Sequence, residues 1–254
     1  MRTSRRGFQI LQIVREEGTS TITGLANQLE VSQETIRRDI RPLEAGGELL
    51  KMHGSVALPY QVGEALFERR LRENAAAKKA IARQVATYIQ DGSSVMLDHG
   101  TTTSLLAREL LKKRQLTIVT NSSDIARTLA TVNGNRVFMA GGELKGDSGA
   151  AFGASAIEFV QHFKVRHSII SIGAIDAQAG LMDYQLEEAE FARMVLTRGE
   201  QALIITDHSK FGKPGLVNVC DFADVDRLVT DRQPDAEFTA LLEAGGVELD
   251  VVTI

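Results

Sequence analysis

The chain has 254 residues, of which 43% are hydrophobic; it has one cysteine and a net charge of −4 from 29 basic and 33 acidic residues. That length holds a small domain and a larger one. A single thiol excludes an internal disulfide framework, and no apolar run approaches the roughly 18 residues of a membrane span. The basic first residues are not followed by an apolar signal-peptide core, so a cytoplasmic protein without membrane partners is expected.

Residues 1–58 carry eight Lys or Arg and seven Asp or Glu, against 21 and 26 in the remainder. Any affinity for nucleic acid must therefore come from where the cations lie rather than from their total. Arg5 to Glu17 has a helical pattern through Phe8, Ile10, Leu11 and Val14 and stops at Gly18. Thr21 to Leu29 reads as a second short helix, with Ile22, Leu25, Ala26 and Leu29 inward. Only Glu30 and Val31 separate it from Ser32, a good N-cap for a third helix. There Ile36, Ile40 and Leu43 share one face, while Glu34, Arg37, Arg38 and Arg41 point the other way.

Two helices joined by so tight a turn form a helix-turn-helix, and an anchored helix with an arginine-rich outer face suits the major groove. Gly46-Gly47 closes the third helix, and Leu49 to Gly54 with Val56 to Leu58 reads as a hairpin wing. The surface expected to meet double-stranded operator DNA comprises Ser32, Gln33, Glu34, Thr35, Arg37, Arg38, Arg41, Lys51 and His53, with Arg2, Arg5 and Arg6 able to join it. Residues 59–74, punctuated by Pro59 and Gly63 and then charge-dense, read as a linker whose docking points are Phe67 and Leu71.

From residue 75 to 254 short β-branched runs alternate with helical stretches. Strands are predicted at 95–97, 117–119, 137–139, 169–172, 202–205, 227–229 and 247–252. Helices are predicted at 76–89, 103–113, 123–130, 154–162, 187–197 and 236–242. The fold class is thus α/β: an N-terminal winged helix-turn-helix followed by a mainly parallel α/β domain.

Polar and glycine-rich loops follow five of these strands, at the edge where open α/β sheets bind ligands. The first of them runs Asp98, His99, Gly100, Thr101, Thr102 and Thr103. Asn121 follows the second strand, Gly141 and Gly142 the third, Gly173 the fourth, and Asp207 with Lys210 the fifth. Hydroxyls and exposed N–H groups at a helix start suit a phosphate, and Lys210 offers it a positive charge. Asp98, Asn121, Glu188 and Asp207 can satisfy the hydroxyls of a sugar or polyol. Thr101 and Thr102 can alternatively be plain helix-start residues, and Glu188 part of a solvated acidic first turn. A dinucleotide fingerprint and a Walker loop are missing. The five histidines show no metal-ligand spacing, and Cys220 reads as a core thiol. No metal, cofactor or catalytic residue is expected.

Val31-Ser32-Gln33-Glu34-Thr35-Ile36-Arg37-Arg38-Asp39, followed by His53-Gly54-Ser55, resembles the amino-terminal signature of the DeoR family of bacterial repressors. The family has a second glycine where this chain has Ser55. Asp98-x-Gly100-Thr101-Thr102, Thr120-Asn121, Gly141-Gly142, Gly153 and Asp207-x-Ser209-Lys210-Phe211 resemble its sensor signature. Residues 140–144 and 207–212, with Ile175-Asp176 and Val217-Asn218, look like the branch that responds to glycerol 3-phosphate. The resemblance implies a sensor fold related to ribose-5-phosphate isomerase and the CoA transferases, while two-fold symmetric reading of operator half-sites calls for a homo-oligomer, dimer or tetramer. The resemblance further implies a repressor of a carbohydrate or polyol operon, released by a phosphorylated sugar or polyol. The rival reading is an isomerase-like enzyme carrying an accessory DNA-binding domain.

Overall fold

A computed structural model describes residues 5–17, 19–46, 48–52, 54–57 and 67–253. Arg2, His53, Leu58 and the first part of the expected linker lie outside the described residues. The chain divides into two compact units, one up to Arg69 and one from Arg70 onward.

In the first unit, α1 (Arg5–Glu17), α2 (Ile22–Gln28) and α3 (Gln33–Ala45) surround a small core. Ile10, Val14, Leu25, Ile36, Ile40, Leu43, Leu49 and Val56 are all buried in it. The second helix begins one residue later than the pattern suggests, because Thr21 is its cap: Thr21 Oγ1 accepts from Gly24 N at 2.9 Å. The chain leaves α2 through Glu30, held at φ 52, and Ser32 then caps α3 by accepting from Thr35 N at 3.2 Å. An ion pair from Arg6 to Asp39 fastens α1 to α3.

The wing is present as β2 (Leu50–Met52) and β3 (Ser55–Ala57), antiparallel with Met52 opposite Ser55. Gly54 turns it at φ 79, a conformation that glycine adopts without steric cost. A strand missed by the sequence reading, β1 (Thr19–Thr21), pairs with β3 on its other side. Three residues carry too little alternation to announce a strand.

The second unit is built on seven parallel strands. These are β4 (Ser94–Leu97), β5 (Thr117–Thr120), β6 (Arg136–Met139), β7 (Val165–Ile170), β10 (Gly199–Ile205), β12 (Arg227–Thr230) and β13 (Glu248–Val251). Their order across the sheet is β13-β12-β10-β7-β4-β5-β6. Alternate residues serve opposite faces, as the two-residue period requires. Val95, Leu97, Ile118, Ile169, Leu203, Ile205 and Val229 join one core with α5 (Ala75–Tyr88), α6 (Thr101–Glu109) and α7 (Ser123–Leu129). Met96, Val119, Ile170, Ile204 and Leu228 join the other with α8 (Ala154–Gln161), α9 (Leu186–Leu196) and α10 (Ala236–Ala244).

All of the strands and helices predicted beyond residue 75 are present, with ends shifted by a few residues. Not anticipated was a separate antiparallel sheet of β8 (Ala174–Asp176), β9 (Gly180–Asp183) and β11 (Val217–Cys220). The charge-dense stretch contains a helix, α4 (Phe67–Arg72), where Phe67 is buried and Leu71 packs against the second unit's core. The order places a topological switch between β4 and β7: from β4 the chain winds outward through β5 and β6, then returns to lay β7 on the other side. Open α/β sheets bind ligands at such a point, outside the carboxyl ends of the strands.

Candidate functional site

On α3 the apolar face is buried and the arginines are not. Ile36, Ile40 and Leu43 lie in the core, whereas Arg37, Arg38 and Arg41 are exposed. Arg37 is steadied by Gln33 Oε1 at 3.3 Å and by Glu34 at 3.5 Å, while Gln33 also donates to Thr23 Oγ1 at 3.2 Å. Among the described residues neither Arg38 nor Arg41 forms an ion pair. Ser32 and Thr35 share the cap, and Lys51 is exposed on the wing. The result is a rigid helix that offers uncompensated guanidinium groups to solvent, which is what contact with phosphates and guanine edges demands.

At the switch point of the second unit, the carboxyl end of β4 is locked to that of β7 by Asp98. Its Oδ1 accepts from Gly100 N at 3.1 Å and Thr103 Oγ1 at 2.6 Å. Its Oδ2 accepts from Ser171 N at 2.9 Å and Ser171 Oγ at 3.2 Å. Burial pushes this carboxyl above the usual carboxylate range, and neighbouring His99 and the donors only partly oppose that. Gly100 is required by the same closeness: a Cβ there would collide with the Ser171 side chain. Gly100 is also the N-cap of α6 and supplies no side-chain cap. Thr101, Thr102 and Thr103 follow, all buried.

Asp207 is a second hub. Its Oδ1 accepts from Asn74 Nδ2 at 2.8 Å, Ser209 N at 3.1 Å and Ser209 Oγ at 2.5 Å, and buried Lys78 stands 4.0 Å from Oδ2. Residues 70–74, which the sequence reading places at the end of the linker, are thereby bound into the second unit, where the Arg70 carbonyl also accepts from Lys78. Lys210 ends the short 3-10 turn at residues 208–210. His208 is held by Asp231, through its backbone N–H to Oδ1 and between Nδ1 and Oδ2, at 2.7 Å each.

Asn121, fully buried at the end of β5, donates to Ala151 O at 2.8 Å and accepts from Ala151 N through its carbonyl at 3.0 Å. Its Oδ1 has no hydrogen-bond partner among the described residues. The same holds for His99 Nδ1, Ser104 Oγ, Thr206 Oγ1 and Thr230 Oγ1, all at or near the carboxyl edge of the sheet. Each unpaired buried polar atom costs free energy, and these five lie where a polar ligand can satisfy them, while others, such as both ring nitrogens of His167 inside β7, lie away from this edge.

Gly141 and Gly142 are exposed after β6, and Gly173 packs tightly against Asp183 and Tyr184. Glu188, buried in the first turn of α9, stands 3.7 Å from His99 Nε2. Burial would lift Glu188, but His99, Lys145 and Arg70 hold it below the ordinary carboxylate range.

Thus Asp98, Gly100, Thr101, Thr102, Thr103, Asn121 and Glu188 gather around the switch, with Asp207 and Lys210 two strands along the same edge. The sequence reading missed Lys145 and Phe152 beside Glu188, and Lys78 and Asn74 beside Asp207.

Among the described residues no group of three His, Cys, Asp or Glu is placed to hold a metal, and no helix is long and apolar enough to cross a membrane. Cys220 is buried, and that burial pushes its thiol up to about 12. Native protein should therefore react negligibly with a disulfide reagent at pH 8 and release one equivalent of thiol after denaturation. Rapid native labelling would show the site to be open.

Comparisons with known proteins match both parts of the chain. Residues 6–62 match the DeoR-like helix-turn-helix domain and residues 73–232 the DeoR C terminal sensor domain. The chain is 34% identical to the HTH-type transcriptional repressor CsqR of Escherichia coli K12, over 96% of this chain and 94% of that one. It is 31% identical to the glycerol-3-phosphate regulon repressor of the same organism, over 99% and 100%. Its Haemophilus influenzae counterpart is 32% identical over 96% and 95%. Ribose 5-phosphate isomerase A from Methanocaldococcus jannaschii superposes on 54% of this chain and 55% of its own, with a TM-score of 0.40 and 13% identity, too weak a likeness to bear on function. On both matched domains and these near full-length relatives, the chain belongs to the DeoR family of DNA-binding transcriptional regulators.

Proposed function

We propose that the protein is a cytoplasmic, homo-oligomeric repressor of a carbohydrate or polyol operon, and that a small phosphorylated sugar or polyol releases it from DNA. In this reading α3 enters the major groove, with Arg38 and Arg41 on base edges or phosphates and Gln33, Glu34, Thr35 and Arg37 near the helix start. Lys51, and His53 outside the described residues, approach the backbone from the wing. A symmetric oligomer matches repeated half-sites.

The effector occupies the carboxyl edge beside the β4–β7 switch. The uncapped start of α6 takes the phosphate, while Asn121 Oδ1 and Glu188 take hydroxyls. Asp98 and Asp207, already engaged with the chain's own donors, position these loops. Lys210 lies on the same edge as a further cation. The carrying observation is the set of buried, unpartnered polar atoms along that edge. Two relatives named for the glycerol-3-phosphate regulon favour a phosphorylated polyol.

The isomerase-like alternative is separated from this reading by whether the bound compound is turned over. The test uses a DNA fragment selected by the protein from a random pool, titrated by fluorescence anisotropy against phosphorylated three- to six-carbon compounds. One of them should lower operator affinity by about 5–150-fold and emerge chemically unchanged. Binding with turnover would favour the enzyme, and release by none of the compounds would overturn the proposal.

A further inference from the structure

Between β6 and α8 the chain makes a small hairpin: Leu144 bridges Ala151, Lys145 N donates to Ala150 O at 2.9 Å, and Gly149 N donates back to Lys145 O at 2.8 Å. Its returning arm is clamped to β5 by the paired bonds between Ala151 and Asn121. A cleft of about 350 Å³ opens against this hairpin, lined by Glu143, Leu144, Lys145, Gly146, Phe152, Gly153 and Glu187. That volume is at the low end of the roughly 300–1,000 Å³ of small-molecule sites, so a ligand of a few carbons fits it best.

Lys145 is the only cation among these lining residues. Its Nζ donates to Gln185 Oε1, stands 2.8 Å from Glu187 and 3.7 Å from Glu188, and lies 4.8 Å above the Phe152 ring. The cluster is continuous with the switch point, because Glu188 stands 3.7 Å from His99 Nε2 and Phe152 meets the His99 ring edge-on at 4.7 Å. His99, 7% exposed with an unpartnered Nδ1, immediately precedes Gly100 and the start of α6. The cleft also borders Gly153, which caps α8 without a side chain, its carbonyl accepting from Ala156 N at 3.1 Å.

Acidic residues outnumber Lys145 here, so an anion can enter only by taking the ammonium away from them. We propose that Lys145 is the exchangeable counter-ion of this site. Without effector it is held by Glu187 and Glu188; when a phosphate monoester of a small polyol or sugar enters, it transfers to the phosphate. The freed Glu188 carboxylate then accepts the ligand's hydroxyls, while Glu187 acts only as a competitor for the ammonium. The exchange makes the site selective: inorganic phosphate gains Lys145 but offers the carboxylates little, and an unphosphorylated polyol leaves Lys145 where it was. Charge-assisted bonds of this kind are the strong ones. This inference rests on the effector reading above and adds the residue that discriminates its charge.

The experiment is isothermal titration of the full-length chain and its variants with glycerol 3-phosphate, glucose 6-phosphate, inorganic phosphate and glycerol. Circular dichroism verifies that each variant is folded. Wild type should bind one of the phosphate esters more tightly than inorganic phosphate or glycerol. Lys145→Met should weaken that ester about tenfold or more, Lys145→Arg should restore most of the affinity, and Glu187→Gln should tighten it by removing a competitor. That opposite sign is one a merely structural role would not produce. Unchanged affinity in Lys145→Met, or weakening in Glu187→Gln, overturns the exchange while leaving the effector reading standing. Wild type that binds none of the phosphorylated three- to six-carbon compounds, titrated in the same way, overturns both.

Discussion

Arg38→Ala should lower operator affinity by about 1–3 kcal/mol per half-site, a factor of roughly 5–150, and in a symmetric oligomer the loss falls on both half-sites. The side chain is exposed on α3 and forms no ion pair among the described residues, so its removal leaves nothing in the protein unsatisfied. Alanine and arginine are both strong helix formers, so the helix itself is preserved. Arg37→Ala should cost less, because Gln33 and Glu34 already engage that guanidinium. Asp39→Ala differs in kind: it breaks the pair with Arg6 that fastens α1 to α3 and should appear first as lost stability. Anisotropy titrations at several salt concentrations separate the cases. If Arg38 meets a phosphate, the salt slope falls by about one per half-site with sequence preference unchanged; if it reads a base, preference relaxes at one position in each half-site. An Arg38→Ala protein that binds its operator like wild type would contradict the placement of α3 in the groove.

Asp98→Ala should destabilise the second unit by about 2–6 kcal/mol, a large part of the whole stability of a typical domain. Four donors converge on this carboxylate, and two of them, Gly100 N and Ser171 N, are backbone groups fixed by the crossing of β4 and β7. Alanine strands them in the interior, where each orphaned donor costs about 1–3 kcal/mol. Asp98→Asn keeps the shape but turns one acceptor into a donor facing a donor, so it should fall between wild type and alanine. Urea denaturation of the three proteins, with secondary structure as the probe, reads this order. A melting behaviour of Asp98→Ala within about 1 kcal/mol of wild type would show that the bracket is dispensable.

The recognition helix was legible because three local signals coincide in it: a capping serine, an apolar face at i, i+4 and i+7, and arginines confined to the opposite face. The parallel sheet was legible because strands buried on both faces read as short β-branched runs, such as Val95-Met96-Leu97 and Ile169-Ile170. The antiparallel sheet of β8, β9 and β11 was not, since Gly180 and Asn218 interrupt runs of only three or four residues, and β11 pairs with β9 across a long stretch of chain. At the candidate site, residue types identified the loops but not which side chains are spent on architecture. Asp98 and Asn121 look alike as polar residues after a strand. Only the distances separate a carboxylate with four internal donors from an amide whose oxygen has no partner. Lys145 was invisible because its significance lies in Glu187 and Glu188, some forty residues further along the chain.

The most direct test of the coupling between reading helix and sensor edge is to measure the affinity of the releasing compound twice, with the protein free and with it saturated by operator. Linkage requires that the factor by which the compound weakens DNA binding equal the factor by which DNA weakens binding of the compound. We expect both to be reduced by one common factor, within roughly 5–150-fold. Effector affinity that is the same with and without operator would contradict the account.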